Sequence, residues 1–112
     1  MTEPRTRSYD ALNPVDQFPG VVRRTLVSGD RITFVEIRIA PGAEVPEHTH
    51  PHEQVGHVAS GRVHFRIGDL DQELGPGDSY LIPGDVPHHV VALDAVTLIE
   101  AFSPVREEFA ND

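Results

Sequence analysis

Apolar and polar residues alternate along short segments of the chain, and glycine or proline ends most of these segments. The segments VVRRTLV (21–27) and RITFVEIRI (31–39) are rich in β-branched residues and enclose Ser-Gly-Asp (28–30), which predicts a hairpin. In RVHFRIG (62–68), apolar residues occupy every second position, the pattern of a strand with one buried face. The alternation therefore predicts strands rather than helices.

Segments of the same kind continue to the end of the chain. They are VGHVAS (55–60), DLDQEL (69–74), SYLI (79–82), HHVVA (88–92) and VTLIEAF (96–102). About eight or nine short strands with evenly spaced turns and no long helix predict an all-β fold, either a sandwich or a barrel. The final residues, VREEFAND (105–112), are predicted to form one helical turn.

The chain has 112 residues, which suits one domain with a single core. The first twenty residues contain three prolines and little periodicity. We therefore predict an N-terminal arm over residues 1–20 that lies on the domain or crosses to a neighbour. Residues 21–112 are predicted to form the folded domain.

The composition excludes several classes of partner. The net charge is −9 and every basic residue is an arginine, whereas binding to nucleic acid or an anionic membrane requires clustered basic groups. We expect no partner of either class. The chain has no run of about 18 apolar residues and no apolar stretch of a secretory signal at its start, so the predicted location is cytoplasmic. The absence of cysteine excludes disulfides and thiolate ligands.

Three histidines stand at alternate positions in HTHPHEQ (48–54). Residues two apart in an extended segment project to one face, so His48 and His50 can bind the same cation, with Gln54 within reach. A third imidazole is available from His88, which follows a proline-glycine turn. A bare His-x-His pair also occurs on ordinary surfaces, so the spacing alone leaves a metal site and a surface cluster open as alternatives.

The remaining histidines are not assigned to the site. His57 and His64 have the parity of solvent-facing residues or lie beside arginines, so both are predicted to face outward. Pro51 interrupts the extended segment, which leaves the direction of His52 open. The role of His89 is open as well.

Two longer motifs resemble the signature motifs of the cupin superfamily. The first is GAEVPEHTHPHEQVGHVASG (42–61) and the second is GDSYLIPGDVPH (77–88), in the usual order and at the usual distance. The resemblance covers roughly residues 31–102 and implies a single cupin jelly-roll β-barrel of short antiparallel strands. It also implies a divalent metal ion inside the barrel, bound by His48, His50, Gln54 and His88.

The chain departs from the cupin pattern at two positions: Gln54 replaces the usual carboxylate ligand, and Ala92 replaces the usual asparagine. Glu53 is the alternative ligand, but it is predicted to point to the opposite face of its strand. Three imidazoles and an amide leave the charge of a divalent cation uncompensated, which favours Lewis-acid chemistry over redox chemistry. Zinc or nickel is the favoured ion, and iron, manganese or copper are the other candidates.

A narrower resemblance extends to the C-terminal region. The segments HTHPHEQVGHVASGRVHF, IPGDVPHHV and IEAFSPVREEF are similar to the pectin-degradation cupins that act on 4,5-unsaturated uronates. This resemblance implies conversion of an unsaturated monosaccharide to its linear keto form, with catalytic residues in the pattern acid-x-Phe-x-x-x-Arg. The matching residues are Glu100, Phe102 and Arg106, with glutamate where that group has aspartate, so the substrate can differ.

The residues alone leave two roles open for each of the charged groups. Glu100 shares a strand face with apolar residues, and it is predicted either to face solvent or to enter a cavity as a general acid or base. Arg106 is predicted either to clamp a substrate carboxylate or to pair on the surface with Glu107 or Glu108.

The predicted function is metal-dependent, non-redox chemistry of the isomerase, lyase or cyclase type on a small-molecule substrate. Two substrates fit: an unsaturated uronate-like sugar acid, favoured by arginine and hydroxyl groups beside the metal, or a polyketide-like chain, favoured by an apolar wall. The alternatives are a non-heme iron dioxygenase and a non-catalytic small-molecule-binding cupin. Exposed sheet edges and family habit predict a homodimer.

Overall fold

Two antiparallel β-sheets packed face to face make up most of the molecule. The computed structural model describes residues 3–112, and residues 1–2 of the predicted arm lie outside the described part. The strands are β1 (Val15–Phe18), β2 (Val21–Ser28), β3 (Thr33–Ile39), β4 (Glu44–His48), β5 (Glu53–Ser60), β6 (Val63–Ile67), β7 (Leu70–Leu74), β8 (Ser79–Ile82), β9 (His88–Ala92) and β10 (Val96–Ser103). A 3-10 helix (Tyr9–Ala11) precedes them, and helix α1 (Glu107–Ala110) follows them.

The larger sheet has the strand order β1-β2-β3-β10-β5-β8, and the smaller one has the order β4-β9-β6-β7. All paired strands of the described residues are antiparallel. Strand β10, near the end of the chain, lies between β3 and β5 in the middle of the larger sheet. The predicted all-β fold of short antiparallel strands and the predicted hairpin of β2 and β3 are therefore confirmed.

The hydrophobic core fills the space between the two sheets. Strands β5 and β10 bury every second residue, as the sequence alternation predicts. Burying one large aliphatic or aromatic side chain contributes about 1.5–3 kcal/mol. The largest apolar side chains with almost no solvent exposure are Phe65, Ile39, Ile82 and Leu98.

The inward-facing residues change from apolar to polar along the strands. On β9, Val90 and Ala92 are buried in the core, whereas His88 is buried at the start of the strand. On β5, Val58 lies in the core and Gln54 is buried near the other end. The sandwich therefore has an apolar half and a half in which buried polar groups require partners.

The N-terminal arm has more regular structure than its weak periodicity predicts. Strand β1 forms because the edge of β2 offers free backbone groups, and Val15 lies opposite Arg23 in this pairing. Earlier in the arm, Arg7 donates a hydrogen bond to the carbonyl of Thr25 (3.0 Å). The described part of the arm thus lies along the larger sheet of its own chain.

The C-terminal segment closes one end of the sandwich. Its single helical turn agrees with the sequence prediction, and Phe109 of this turn is buried. Thr25 donates a hydrogen bond to the Phe109 carbonyl (2.9 Å), and Arg23 forms an ion pair with Asp112 (2.7 Å). Within residues 3–112, no helix has the length and apolar character needed to cross a membrane.

Candidate metal centre

Three histidine side chains meet at the polar end of the sandwich. His48 ends β4 and lies directly opposite His88, the first residue of β9, while His50 follows two positions after His48. One ring nitrogen from each lies within 4.8 Å of the others. The structure therefore brings together the three imidazoles that the sequence motifs predict as ligands, and this triad can hold a metal ion.

Hydrogen bonds to the backbone fix how each of these rings presents its nitrogens. Each Nδ1 lies beside a carbonyl two residues away: His48 beside Pro46 (2.9 Å), His50 beside His52 (3.1 Å) and His88 beside Val86 (2.9 Å). A carbonyl only accepts, so Nδ1 of each ring carries the proton and donates it. In a neutral ring Nε2 then has a free lone pair, which is the form a metal ion requires.

The protonation and burial of His88 fit a metal ligand. Its Nε2 is buried and has no hydrogen-bond partner. Burial lowers the pKa of His88 to about 4, and burial is also the main cause that lowers the pKa of His50. Both rings are therefore neutral near pH 7. A buried lone pair without a partner costs about 1–3 kcal/mol, and a bound cation removes this cost.

Gln54 adds an oxygen to the three nitrogens. Its side chain is only 5% exposed, and its Nε2 donates to Oε2 of Glu100 (2.7 Å). This bond turns its Oε1 toward Nε2 of His50, at 3.0 Å. Both atoms carry lone pairs, so they repel unless a cation lies beside them. Two ligand atoms bound at about 2.1 Å and at a right angle lie about 3 Å apart, so the spacing fits a shared metal ion.

Glu53 is exposed, as its parity predicts, and so is not an alternative to Gln54. The donor set presented by the fold consists of three imidazoles and one amide oxygen. Nitrogen and oxygen donors of this kind suit zinc, nickel, iron or copper. The residues present therefore fit a divalent metal ion.

Glu100 lies in the interior rather than in solvent, which decides between its two predicted placements. Its side chain is 6% exposed and lines the same cavity as His48 and Gln54. Burial raises the pKa of Glu100, while hydrogen bonds from Tyr80 and Gln54 lower it less strongly. Both of these bonds end on Oε2.

Phe102 and Arg106 complete the cavity on the side of the C-terminal segment. The Phe102 ring stands edge-on to the ring of His50, with 5.6 Å between the centroids. The guanidinium of Arg106 lies over the rings of Phe102 (4.8 Å) and Phe109 (4.2 Å) and pairs with Glu108. Arg106 thus forms the predicted pair with Glu108 and also lines the cavity, while its binding to a substrate carboxylate stays a prediction.

The cavity has a volume of about 40 Å³, enough for one or two water-sized groups. Its wall is mixed, with an arginine and two glutamines but no hydroxyl side chain among the described residues. The lining residues are Gln17, Ile37, Val45, His48, Gln54, His88, Val90, Leu98, Glu100, Phe102, Arg106 and Phe109.

Two residues near the site were not predicted from the sequence. Gln17 of β1 lines the cavity, and no sequence signal predicted it because its position depends on the pairing of the arm. Tyr80 of β8 hydrogen-bonds Glu100, and its inward direction was readable from its alternation with Ile82.

The other histidines lie outside the cavity. His57 is exposed, and His64 pairs with Asp71 at the surface, as predicted. His89 pairs with Glu44 on the opposite face of β9 from His88. His52 is partly buried, and its Nε2 donates to the Val105 carbonyl (3.2 Å), so this side chain anchors the C-terminal segment.

A two-sheet antiparallel sandwich that contains a histidine triad is typical of the class of β-sandwich proteins that can bind a metal ion between their sheets. Residues 35–102 match the cupin domain family, and the chain belongs to this family. No curated protein sequence matches the chain significantly.

Solved structures extend the similarity over nearly the whole chain. An RmlC-like cupin from Shewanella frigidimarina is 31% identical, with 96% of each chain covered and a TM-score of 0.89. KdgF from Halomonas sp. is 26% identical, covering 95% of this chain and 98% of its own, with a TM-score of 0.88. The polyketide cyclase RemF from Streptomyces resistomycificus has the same fold, at 22% identity, 97% and 92% coverage and a TM-score of 0.77.

Proposed function

We propose that this cupin is a metal-dependent enzyme that opens the ring of a 4,5-unsaturated uronate-like sugar acid to its linear keto form. One observation carries the proposal: a buried carboxyl group, an arginine, Gln54 and two of the clustered histidines line a single cavity, and His50 completes the histidine triad beside them. The similarity to KdgF over nearly the full length of both chains supports it, together with the resemblance to the pectin-degradation cupins.

The metal set is assigned to His48, His50, Gln54 and His88. A divalent ion held there supplies Lewis-acid polarisation of a substrate oxygen. Because all four donors are neutral, the protein leaves the charge of the ion undiminished. Zinc or nickel is the proposed ion, since no carboxylate completes the two-histidine triad of non-heme iron oxygenases.

Glu100 is the proposed proton carrier. Ring opening removes the proton of the C1 hydroxyl, breaks the bond between C1 and the ring oxygen, and adds a proton at C4 of the former double bond. The reaction is an isomerisation, so one carboxyl group that accepts the first proton and returns the second balances it. The Oε1 atom of Glu100 takes no part in the bonds to Tyr80 and Gln54 and is assigned this role.

Arg106 is the proposed binding group for the substrate carboxylate. A sugar acid is larger than the cavity, so the rim must open to admit it. The pair of Arg106 with Glu108 lies at this rim, and the Glu108 side chain is 53% exposed. The Arg106 side chain is 13% exposed, so Glu108 is the accessible member of the pair, and a substrate carboxylate that binds Arg106 with both oxygens can take its place.

Polyketide cyclisation has weaker support than ring opening of a sugar acid. The likeness to RemF is one of fold, and the arginine in the cavity wall favours an acidic substrate over an apolar one. An iron dioxygenase and a non-catalytic binding protein remain the alternatives, and an assay of uronate turnover and oxygen consumption distinguishes them. The homodimer and the cytoplasmic location stay predictions.

The proposed function is tested with zinc- or nickel-loaded protein and a 4,5-unsaturated uronate monosaccharide. We expect the ultraviolet absorbance of the conjugated double bond to decrease faster than in a protein-free sample, and proton NMR to show a linear keto product. No oxygen should be consumed. A decay equal to that of the protein-free sample contradicts the proposal, and oxygen uptake with the substrate favours the dioxygenase.

Replacing Gln54 with alanine should lower metal affinity about 10- to 100-fold, because one of four donors is lost and Nε2 of His50 loses its neighbour. Isothermal titration with zinc measures this change. Gln72→Ala, an exposed glutamine on β7, is the matched control and should bind zinc like the parent protein. Unchanged affinity in Gln54→Ala contradicts the assignment of Gln54 as a ligand.

A further inference from the structure

Three residues lie in one line across the larger sheet. Gly56 on β5 is paired with Glu100 of β10 on one side and with Tyr80 of β8 on the other. All three are buried, so Tyr80 and Glu100 project to the inner face on either side of the glycine. Strands two positions apart in a sheet are about 10 Å apart, so a contact between their side chains requires the central strand to leave room.

Gly56 leaves this room because it has no side chain. A Cβ atom at this position would lie 2.1 Å from Cζ and 2.2 Å from the hydroxyl oxygen of Tyr80. The tyrosine ring therefore lies across the backbone of β5, in the space that any other residue would occupy. Its hydroxyl reaches Oε2 of Glu100 and donates a hydrogen bond to it.

This arrangement distinguishes the two oxygens of Glu100. Oε2 accepts hydrogen bonds from the Tyr80 hydroxyl and from Nε2 of Gln54, so both donors occupy its lone pairs. Oε1 is used by neither bond, and Glu100 lines the cavity. The carboxyl group thus has one oxygen held by the protein and one available to a ligand.

We propose that Tyr80 is a positioning residue that lies across Gly56, holds Oε2 of Glu100 as an acceptor and thereby directs Oε1 to the substrate. The inference rests on the proposed function of Glu100 as proton carrier. Because Oε2 accepts twice, its lone pairs are occupied, and Oε1 is the oxygen that remains free to contact a ligand. The same bonds hold Nε2 of Gln54 toward Glu100 and its oxygen toward His50.

Proton NMR of the zinc-loaded protein tests the orientation without any substrate. The chain has two tyrosines, and each donates to a carboxylate: buried Tyr80 to Glu100, and Tyr9, which is 44% exposed, to Glu36 (2.7 Å). We expect one slowly exchanging, low-field hydroxyl proton. It should be present in the parent protein and in Tyr9→Phe, and absent from Tyr80→Phe. Absence from the parent protein, or persistence in Tyr80→Phe, overturns the proposal.

Kinetic measurements on the same variants test whether the orientation of Glu100 by Tyr80 affects turnover. Tyr80→Phe keeps the ring and removes only the hydroxyl, so we expect kcat for the uronate to fall about tenfold. KM and zinc content should remain within about twofold of the parent values, and Tyr9→Phe should have the parent kcat. An unchanged kcat in Tyr80→Phe overturns the positioning role. If the parent protein turns over no uronate, the proposed function fails, and the hydroxyl-proton comparison still decides how Glu100 is held.

Gly56→Ala is a second substitution that should break the hydrogen bond between Tyr80 and Glu100. The added methyl group should displace the Tyr80 ring, so the hydroxyl signal should disappear although the tyrosine is still present. A folded Gly56→Ala protein that retains the signal contradicts the role given to Gly56.

Discussion

Replacing His88 with alanine is expected to remove the metal ion and reduce turnover to the background rate. His88 is 2% exposed, and its unpartnered Nε2 faces the other two imidazoles, so no nearby side chain can replace it. Metal content by inductively coupled plasma mass spectrometry should fall from about one ion per chain to nearly none. If His88→Ala retains its metal, the assignment of His88 as a metal ligand is contradicted.

The neighbouring residue offers a matched control for this experiment. His89→Ala changes the same residue type one position away, but His89 faces the other side of β9 and pairs with Glu44. It should keep the metal and the activity. A ligand present at a thousand times its Kd stabilises a protein by about 4 kcal/mol, so a chelator should lower the melting temperature of the parent and of His89→Ala but not that of His88→Ala.

Replacing Glu100 with glutamine should reduce kcat at least about a hundredfold and leave the metal bound. Loss of a general acid-base group commonly costs a factor of about 100 to 10,000. The new amide can keep its oxygen at the position of Oε2, where Tyr80 and Gln54 donate, and place its NH₂ group at the position of Oε1. The hydrogen bonds around Gln54 are then preserved while the proton carrier is removed.

Glu36→Gln is the control for this substitution. Glu36 is also buried, but it lies on the opposite face of β3 from the cavity, where it bonds Tyr9 and Arg38. Zinc content and kcat should match those of the parent protein. If Glu100→Gln keeps full turnover, or if it loses the metal, Glu100 has a different role from the one proposed here.

The fold was largely predictable because alternation reports burial directly. Strand β10 illustrates this, since its inward residues include both the core residue Leu98 and the cavity residue Glu100 at a spacing of two. Parity also separated exposed Glu53 from buried Gln54. The weakly periodic strand β1 was missed because it is formed by an available sheet edge rather than by its own pattern.

The site was predictable to the extent that its residues lie close in sequence. His48 and His50 are two positions apart, and the motifs linked them to His88. The contact of Tyr80 with Glu100 is different, because it joins strands that are not neighbours and depends on the glycine in the strand between them. Strand parity gives the direction of each side chain, but it does not give the order of strands in a sheet.

The orientation of the Gln54 amide could not be read from the sequence either. It follows from a donor interaction with Glu100, 46 positions later in the chain, which directs the amide oxygen to the histidines. The chemistry of the donor set therefore depends on a tertiary contact, although each donor was named by its motif.

Anomalous diffraction from a zinc-loaded crystal, measured on both sides of the zinc absorption edge, tests the central claim most directly. The predicted result is one anomalous peak at about 2.0–2.2 Å from Nε2 of His48, His50 and His88 and from the side-chain oxygen of Gln54. The contradicting result is a zinc-soaked crystal in which these four atoms surround no peak, or in which the three rings turn away from one another.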